Sequence, residues 1–306
     1  YFPSFPAEGD SQGGGSHGRH RAQQSDYPTV KAIVNTGPNR LEWQERPLPE
    51  PGTGQVRIKT VACGICATDL EMIKGWSRTP FPGIPGHEWV GIVDATGDLM
   101  NAALVGQPCV AENVLSDGGE VGFEHPGGYA EYFLTETRNI QALPGWFPLR
   151  KAVLIEPLAV CVRGLRRLRL ENKDAALVLG DGPIGLLTVL LLKRVGVRDI
   201  CLVGGRPDRL VLATEFGASH VLNYHDFSGD VTHAIRRVIS RPFPNIVECS
   251  GSAASMEAAL QIADRGSKVL VIGDYGDDYA RFRWNHLLHR ELEIIGSNAS
   301  AQAWTE

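Results

Sequence analysis

The spacing of apolar side chains in the first half of the chain predicts β-strands. From Gln55 to Val61, apolar and polar residues alternate with the period of a strand that is buried on one face. Shorter apolar runs predict three further strands, at Lys31–Asn35, Glu88–Asp94 and Tyr129–Leu134. Helical periodicity is scarce before Leu154, and proline and glycine interrupt the chain often. We therefore predict a mostly β domain over residues 29–154.

The second half of the chain alternates short Val, Ile and Leu runs with glycine turns and helical stretches. Six runs predict strands, at Ala175–Leu179, Ile200–Val203, His220–Leu222, Asn245–Cys249, Lys268–Ile272 and Leu292–Ile295. Uninterrupted apolar runs are typical of parallel strands that are buried on both faces. We therefore predict an α/β fold in which residues 155–306 form a doubly wound parallel sheet of the Rossmann type. The longest apolar run, Ile184–Leu192, is too short to span a bilayer, which needs about 18 to 20 residues.

The first 28 residues differ from both patterns. They are rich in Gly, Ser, His, Arg and Gln and contain no Leu, Ile, Val or Met, so they cannot bury enough apolar surface to become ordered. They lack the apolar core of a secretion signal, and Glu8, Asp10 and Asp26 are untypical of an organelle transit peptide. We predict a disordered leader over residues 1–28.

Composition and charge narrow the class of protein. The 306 residues exceed the usual length of one domain, and 43% apolar with 21% charged residues is ordinary for a globular protein. A formal net charge of −5 offers no basic surface for binding phosphate backbones, so we expect neither nucleic acid nor a membrane as a partner. Six scattered cysteines indicate a reducing compartment, and we expect a cytoplasmic protein.

A glycine-rich turn is the first candidate for chemistry. Gly180, Gly182 and Gly185 have G-x-G-x-x-G spacing between an apolar strand and an apolar helix. Such glycines allow a tight turn, a close approach of a pyrophosphate and close packing of helix on strand, while the helix N-terminus binds phosphate. We predict a dinucleotide site that also includes Pro183 and Ile184. The alternative is a strand–helix turn without a ligand.

The end of the next strand bears on which dinucleotide binds. An Asp or Glu there would bind the ribose 2′-hydroxyl, but this strand ends in Gly204 and Gly205, followed by Arg206 and Arg209. A glycine leaves room for a phosphate, and arginines bind phosphate well. We therefore predict that NADP is favoured over NAD. The alternative is that both arginines are solvated residues at a helix start.

A second group of residues indicates a metal. Cys66, His87 and the carboxylates of Glu88 and Glu156 form a mixed donor set that suits zinc, and three protein ligands would leave a position open for catalysis. A structural zinc needs four protein ligands, and the single C-x-x-C that ends at Cys66 has no second C-x-x-C to complete it. Taken singly, such a cysteine or histidine is more often structural than a ligand.

The motifs Gly64–Asp69, Pro85–Glu88 and Glu156–Ala159 resemble the signatures of the zinc-dependent medium-chain dehydrogenase/reductase family. The resemblance runs from about Val30 to the C-terminus and is greatest to sorbitol and threonine dehydrogenase-like members. It implies a GroES-like catalytic domain before the Rossmann domain. It also implies one catalytic zinc that is bound by Cys66 and His87. Glu88 would be a further ligand or a group close behind the ligands, and Glu156 would be the third or an exchangeable protein ligand.

The resemblance also implies an activity. Hydride would pass between NAD(P) and the CH–OH group of a small molecule: a secondary alcohol, a polyol or a sugar-type hydroxyl. Thr68 matches the residue that relays the substrate proton, and Asp69 matches the carboxylate that orients the metal histidine. We expect a homodimer or homotetramer.

Three departures from the family qualify this hypothesis. Residues 106–129 hold only Cys109 where many members carry four cysteines, so we predict no structural zinc. Glu71 stands where many members have a relay histidine, so the proton would leave through this carboxylate or through water. The chain ends at Glu306, earlier than its relatives, and we interpret it as truncated at the C-terminus.

Two other functions remain open from the sequence. A zinc-free NADPH-dependent quinone or enoyl reductase has the same fold, but the joint presence of Cys66, His87 and Glu156 argues against it. A non-catalytic homologue is supported only by Glu71 and by the early end of the chain.

Overall fold

The computed structural model describes residues 28–78, 80–227, 231–276 and 278–304. The predicted leader over residues 1–28 lies outside the described residues except for Pro28. Among the helices of these ranges, none has the length and apolar character needed to cross a bilayer.

The first half of the described chain is built from antiparallel strands. β1 and β2 form a two-stranded sheet, and five further strands form a sheet of order β6-β3-β4-β5-β7. The strands are β1 (Thr29–Gly37), β2 (Arg40–Pro47), β3 (Gln55–Cys63), β4 (Trp89–Thr96), β5 (Pro108–Ala111), β6 (Tyr132–Glu136) and β7 (Ile140–Ala142). Val56, Ile58, Trp89, Val93 and Phe133 form a buried core on this sheet. The prediction of a mostly β fold here is confirmed.

Short helices join these strands. They are α1 (Ala67–Lys74) and α2 (Leu149–Ala152), together with 3₁₀ turns at Leu99–Leu104 and Thr137–Asn139. The sequence did not predict α1, because only Asp69 and Met72 of its eight residues are buried, too few to produce a helical period. This helix matters for function because it begins immediately after Cys66.

The second half contains a six-stranded parallel sheet with the order β10-β9-β8-β11-β12-β13. The strands are β8 (Ala175–Leu179), β9 (Asp199–Gly204), β10 (His220–Asn223), β11 (Asn245–Glu248), β12 (Lys268–Val271) and β13 (Glu293–Gly296). The connecting helices are α3 (Ile155–Leu168), α4 (Pro183–Arg194), α5 (Pro207–Glu215), α6 (Val231–Val238), α7 (Ala253–Ile262) and α8 (Trp284–Arg290). All six predicted strands are present, which confirms the doubly wound α/β prediction.

Both faces of the parallel sheet are buried. Leu177 and Ile246 belong to one apolar cluster, and Val178 and Val247 belong to another. Chain order reverses between β8 and β11, since β9 and β10 lie on one side and β12 and β13 on the other. In such sheets, ligands bind in the crevice outside the carboxyl ends of the strands at this point of reversal.

Candidate active site

The pairing of β3 with β4 brings the candidate metal ligands together. Cys63 lies opposite Trp89 in the register, and Gly64 N–H donates to the carbonyl of Glu88 at 2.7 Å. The turn that leads to Cys66 therefore runs beside the residues that precede β4. A side chain at Gly64 would overlap the carboxylate of Glu88, so this turn has room for that carboxylate only because residue 64 is glycine.

Cys66, His87 and Glu88 form a group that fits a metal ion. One ligand atom from each lies within 4.8 Å of the other two. His87 is buried, and Cys66 and Glu88 are half-buried. A thiolate, an imidazole and a carboxylate are the donors that zinc accepts in proteins. The residues present therefore fit a catalytic zinc.

Asp69 lies behind this group and is fully buried. Its Oδ2 accepts hydrogen bonds from Cys66 N–H at 2.8 Å and from the Tyr129 hydroxyl at 3.1 Å. Its Oδ1 lies 3.3 Å from His87 Nδ1, and neither of these two buried atoms has another hydrogen-bond partner among the described residues. With Nδ1 turned towards Asp69, Nε2 of His87 is free to bind a metal.

The charges around the group favour a cation. Burial lowers the pKa of His87, but Asp69 and Cys66 outweigh burial and raise this pKa well above its ordinary value. Burial raises the pKa of Glu88, and it raises the pKa of Glu156 to about 7. Carboxyl groups crowded in a buried place repel one another, and a divalent cation would relieve that repulsion.

Glu156 lies in the first turn of α3. It does not belong to the group of three whose ligand atoms lie within 4.8 Å. Its carboxyl group is nevertheless close enough for the charges of His87 and Glu88 to shift its pKa. The structure therefore brings three of the four predicted ligands together. The fourth, Glu156, lies outside this group but near enough to interact with its charges.

The two predicted relay residues of α1 lie in different surroundings. Thr68 is half-buried, and its Oγ1 lies 3.6 Å from Cys66 Sγ. Glu71 is exposed, and its carboxylate pairs with Lys74 at 2.7 Å. The structure therefore brings Thr68 to the metal group and leaves Glu71 at the surface.

The segment 112–128 contacts His87 of the metal group, although the sequence predicted no role for this segment. Asn113 is buried, donates to the carbonyl of His87 at 2.9 Å and accepts from Trp89 Nε1 at 3.0 Å. The ring of Phe123 lies 4.8 Å from the ring of His87. Cys109, which precedes this segment, is buried within β5.

Arg78 ties this segment to the residues that follow α1. It donates to Glu120 and Glu124 at 2.6 Å each, and its guanidinium lies 4.7 Å from the ring centre of Phe123. No sequence signal identifies this pairing, because Arg78 and Glu124 are 46 positions apart.

The glycine turn has the predicted geometry. Gly180 adopts a φ of 111° at the end of β8, Gly182 is the N-cap of α4, and Pro183 is the first residue of that helix. A side chain at Gly185 would overlap the carbonyl of Gly180, whereas the space beside Gly182 is open. Ile184 lies in the first turn of α4.

The end of β9 contains the other predicted cofactor residues. Gly204 ends the strand and is followed by Gly205 and Arg206, and Arg206 is exposed and lies 3.5 Å from Asp208. Arg209 is half-buried in the first turn of α5. Sequence reasoning missed Asp181, whose carboxylate accepts from the N–H groups of Gly205 and Arg206 at 2.9 and 2.8 Å.

A cavity of about 640 Å³ lies at the carboxyl ends of β12 and β13. It is lined by residues 271–275 and 296–298, and by Arg163 and Arg167 of α3. This is the edge of the parallel sheet at which ligands bind in doubly wound folds.

Two family models match the chain. Residues 52–145 match the alcohol dehydrogenase GroES-like domain, and residues 183–306 match the zinc-binding dehydrogenase domain. The L-threonine 3-dehydrogenase of Chelativorans sp. (strain BNC1) is 30% identical over 289 residues, which cover 87% of this chain and 83% of that protein.

Solved structures agree with the family models. A candidate zinc-binding dehydrogenase of Sinorhizobium meliloti, solved with NADP, has a TM-score of 0.85 at 25% identity and covers 91% of this chain and 87% of its own. An alcohol dehydrogenase of Escherichia coli, solved with NADH, has a TM-score of 0.82 at 26% identity and covers 90% and 86%. The chain belongs to the zinc-type medium-chain alcohol dehydrogenase family, in which a GroES-like half precedes a Rossmann-type parallel sheet.

Proposed function

We propose that the protein is a zinc-dependent dehydrogenase that transfers a hydride between an alcohol and a nicotinamide dinucleotide. The observation that carries this proposal is the convergence of Cys66, His87 and Glu88 within 4.8 Å in a chain that also has a dinucleotide-type glycine turn. Convergent donors of this kind and a phosphate-binding turn are the two components that metal-assisted hydride transfer needs.

The proposed metal ligands are Cys66, His87, Glu88 and, as the exchangeable fourth, Glu156. Zinc held there would supply Lewis-acid polarisation of an alcohol or carbonyl oxygen. The contact between Asp69 and His87 supports a role for Asp69 in holding the imidazole in the orientation that binds metal. A single zinc per chain, without a structural companion, remains the prediction.

Thr68 is the proposed first acceptor of the substrate proton. Its hydroxyl lies beside Cys66 Sγ, which supports a position next to the reacting oxygen. Beyond Thr68, the proton is proposed to leave through the exposed carboxylate of Glu71, which pairs with Lys74, or through water.

The proposed cofactor contacts come from two turns. Gly180, Gly182, Pro183, Ile184 and Gly185 would receive the pyrophosphate at the N-terminus of α4. The sequence favours NADP over NAD through Gly204, Gly205, Arg206 and Arg209. The structure adds the carboxylate of Asp181 to this second turn, which the sequence prediction did not include.

The proposed substrate carries a secondary hydroxyl. The name of the relative from Chelativorans designates carbon 3 of L-threonine, which is a secondary alcohol carbon. The motif Glu156-Pro157-Leu158 resembles that of polyol dehydrogenases and supports polyols and sugar-type hydroxyls within the same class. Six free cysteines support a reducing, cytoplasmic setting, and a homodimer or homotetramer remains a prediction.

The test combines metal and activity measurements on the purified protein. We expect bound zinc and oxidation of at least one compound in a screen of polyols, amino alcohols, aldoses and simple alcohols with NAD and NADP. Cys66→Ser and His87→Ala are expected to lose both zinc and turnover, while Cys201→Ala, which removes a thiol from the core of β9, keeps both. Full turnover in metal-free protein would overturn the zinc role and favour the zinc-free reductase.

A further inference from the structure

A carboxylate from the neighbouring glycine turn lies at the carboxyl end of β9, where the strand has no acid of its own. Asp181, the second residue of the glycine turn, extends from the end of β8 to the end of the adjacent β9. Its Oδ2 accepts hydrogen bonds from Gly205 N–H at 2.9 Å and from Arg206 N–H at 2.8 Å. The carboxylate of Asp181 therefore binds the backbone of the turn that follows β9. That turn has no acidic residue of its own.

The contact between Asp181 and Gly204 changes the interpretation of that glycine. A Cβ at position 204 would lie 2.5 Å from Asp181 Cβ and 2.6 Å from its carboxyl carbon. The space beside Gly204 is thus occupied by the Asp181 carboxylate and is not free for a phosphate. The sequence predicted that Gly204 leaves room for a 2′-phosphate, but in the structure Gly204 leaves room for the side chain of Asp181.

One of the two arginines near this turn is paired with a carboxylate. Arg206 lies 3.5 Å from Asp208, and the N–H groups of Gly205 and Arg206 are bound by Asp181. Two carboxylates therefore balance the two arginines at positions 206 and 209. A dianionic 2′-phosphate placed here would meet a carboxylate in place of free N–H donors, and like charges at close range repel.

The second oxygen of Asp181 is available to a ligand. No donor among the described residues hydrogen-bonds to Oδ1, and Asp181 is partly exposed. An acidic side chain at the end of the second strand of such a sheet binds the ribose 2′-hydroxyl of NAD. Asp181 offers the same acceptor from the neighbouring turn.

We propose that Asp181 makes the site select NAD(H) over NADP(H), accepting a hydrogen bond from the ribose 2′-hydroxyl and repelling a 2′-phosphate. This inference rests on the proposed function, because it requires that the glycine turn binds a nicotinamide dinucleotide. It reverses the cofactor preference predicted from the sequence, which depended on Gly204, Arg206 and Arg209 alone.

Equilibrium titration of the purified full chain with NADH and with NADPH, followed by nucleotide fluorescence, tests the proposal without turnover. The unaltered protein is expected to bind NADH at least about tenfold more tightly, which corresponds to about 1.4 kcal/mol. Asp181→Asn removes the charge and keeps an acceptor for the N–H groups of the turn. It is expected to shift the ratio of the two dissociation constants about tenfold towards NADPH, and Asp181→Ala at least as far.

The matched control is Glu215→Gln, which makes the same change of charge at the far, exposed end of α5. It is expected to leave the ratio of dissociation constants unchanged. Tighter binding of NADPH by the unaltered protein overturns the inference, and so does an unchanged ratio in Asp181→Asn, while both results leave the proposed function standing. Failure of the folded protein to bind either nucleotide overturns the proposed function and the inference with it.

Discussion

The backbone at Gly64 passes so close to Glu88 that a side chain there would overlap the carboxylate. The position of one proposed metal ligand, Glu88, therefore depends on the absence of a Cβ atom at another residue. Asp69 acts in a comparable way on His87, since its oxygen lies 3.3 Å from Nδ1. At the scale of single residues, the geometry of Cys66, His87 and Glu88 is set by neighbours outside the proposed ligand set.

Gly64→Ala is expected to displace the carboxylate of Glu88 and to weaken zinc binding by about 10- to 100-fold, the usual effect of disturbing a ligand's support. Zinc affinity measured by competition with a chelator checks this. Gly145→Ala is the matched control, because the space beside Gly145 is open. Equal zinc affinities for the two variants would contradict the role assigned to Gly64.

Asp69→Asn is expected to weaken zinc binding by about 10- to 100-fold as well, because the neutral amide no longer holds the imidazole of His87. Tyr129→Phe should have a smaller effect, since Asp69 Oδ2 keeps its hydrogen bond from Cys66 N–H. The same chelator competition measures both variants. A larger loss for Tyr129→Phe than for Asp69→Asn would show that Asp69 does not act through His87.

At the scale of elements, the segment 112–128 is held against the metal group by Arg78. Its guanidinium binds Glu120 and Glu124 and lies over Phe123, whose ring contacts His87. Arg78→Ala is expected to lower the free energy of unfolding by about 1 kcal/mol and to speed amide hydrogen exchange in this segment. Arg265→Ala, which breaks one exposed ion pair in the other half of the chain, is the control and should change neither. Unchanged amide hydrogen exchange in Arg78→Ala would show that Arg78 does not hold this segment in place.

The same contact predicts a dependence on pH. Burial raises the pKa of Glu124, but Arg78 and nearby N–H groups outweigh burial and lower this pKa below its ordinary value of 4.5. A lowered carboxyl pKa contributes stability that is complete above the ordinary pKa and is lost as the pH falls. The stability difference between the unaltered protein and Arg78→Ala should therefore be constant above pH 4.5 and shrink below it. Chemical denaturation at several pH values measures this difference. An increase in the stability difference as the pH falls would contradict the prediction.

Whether an element or contact could be predicted depended on where its signal lies along the chain. The strands of the parallel sheet are continuous apolar runs, and the motifs around Cys66 and His87 are short segments, so both were found. No residue of β2 is buried and β7 has three residues, so neither shows a pattern. Asp181 and Arg78 act on partners 25 and 46 positions away, and no local pattern reports such contacts.

At the scale of the whole molecule, the metal group and the glycine turn stand on different sheets. Cys66, His87 and Glu88 flank β3 and β4, whereas the turn joins β8 to α4. Removal of zinc with a chelator is therefore expected to abolish turnover and to leave the dissociation constant for NADH unchanged in fluorescence titration. A large loss of NADH affinity on chelation would show that the two halves are coupled. The domain limits of 29–154 and 155–306 remain predictions, and α3 begins at Ile155.

The reach of Asp181 from one turn to the next has a consequence for engineering. Grafting the turn after β9 from an NADP-using relative would import arginines but leave the acid in place, because it is encoded 25 positions earlier. Conversely, grafting only the glycine turn would remove the acid and leave a glycine at 204 with an empty space beside it. Coenzyme preference in this chain is therefore set by two loops, and a swap of the turn after β9 alone should not convert the protein to NADP.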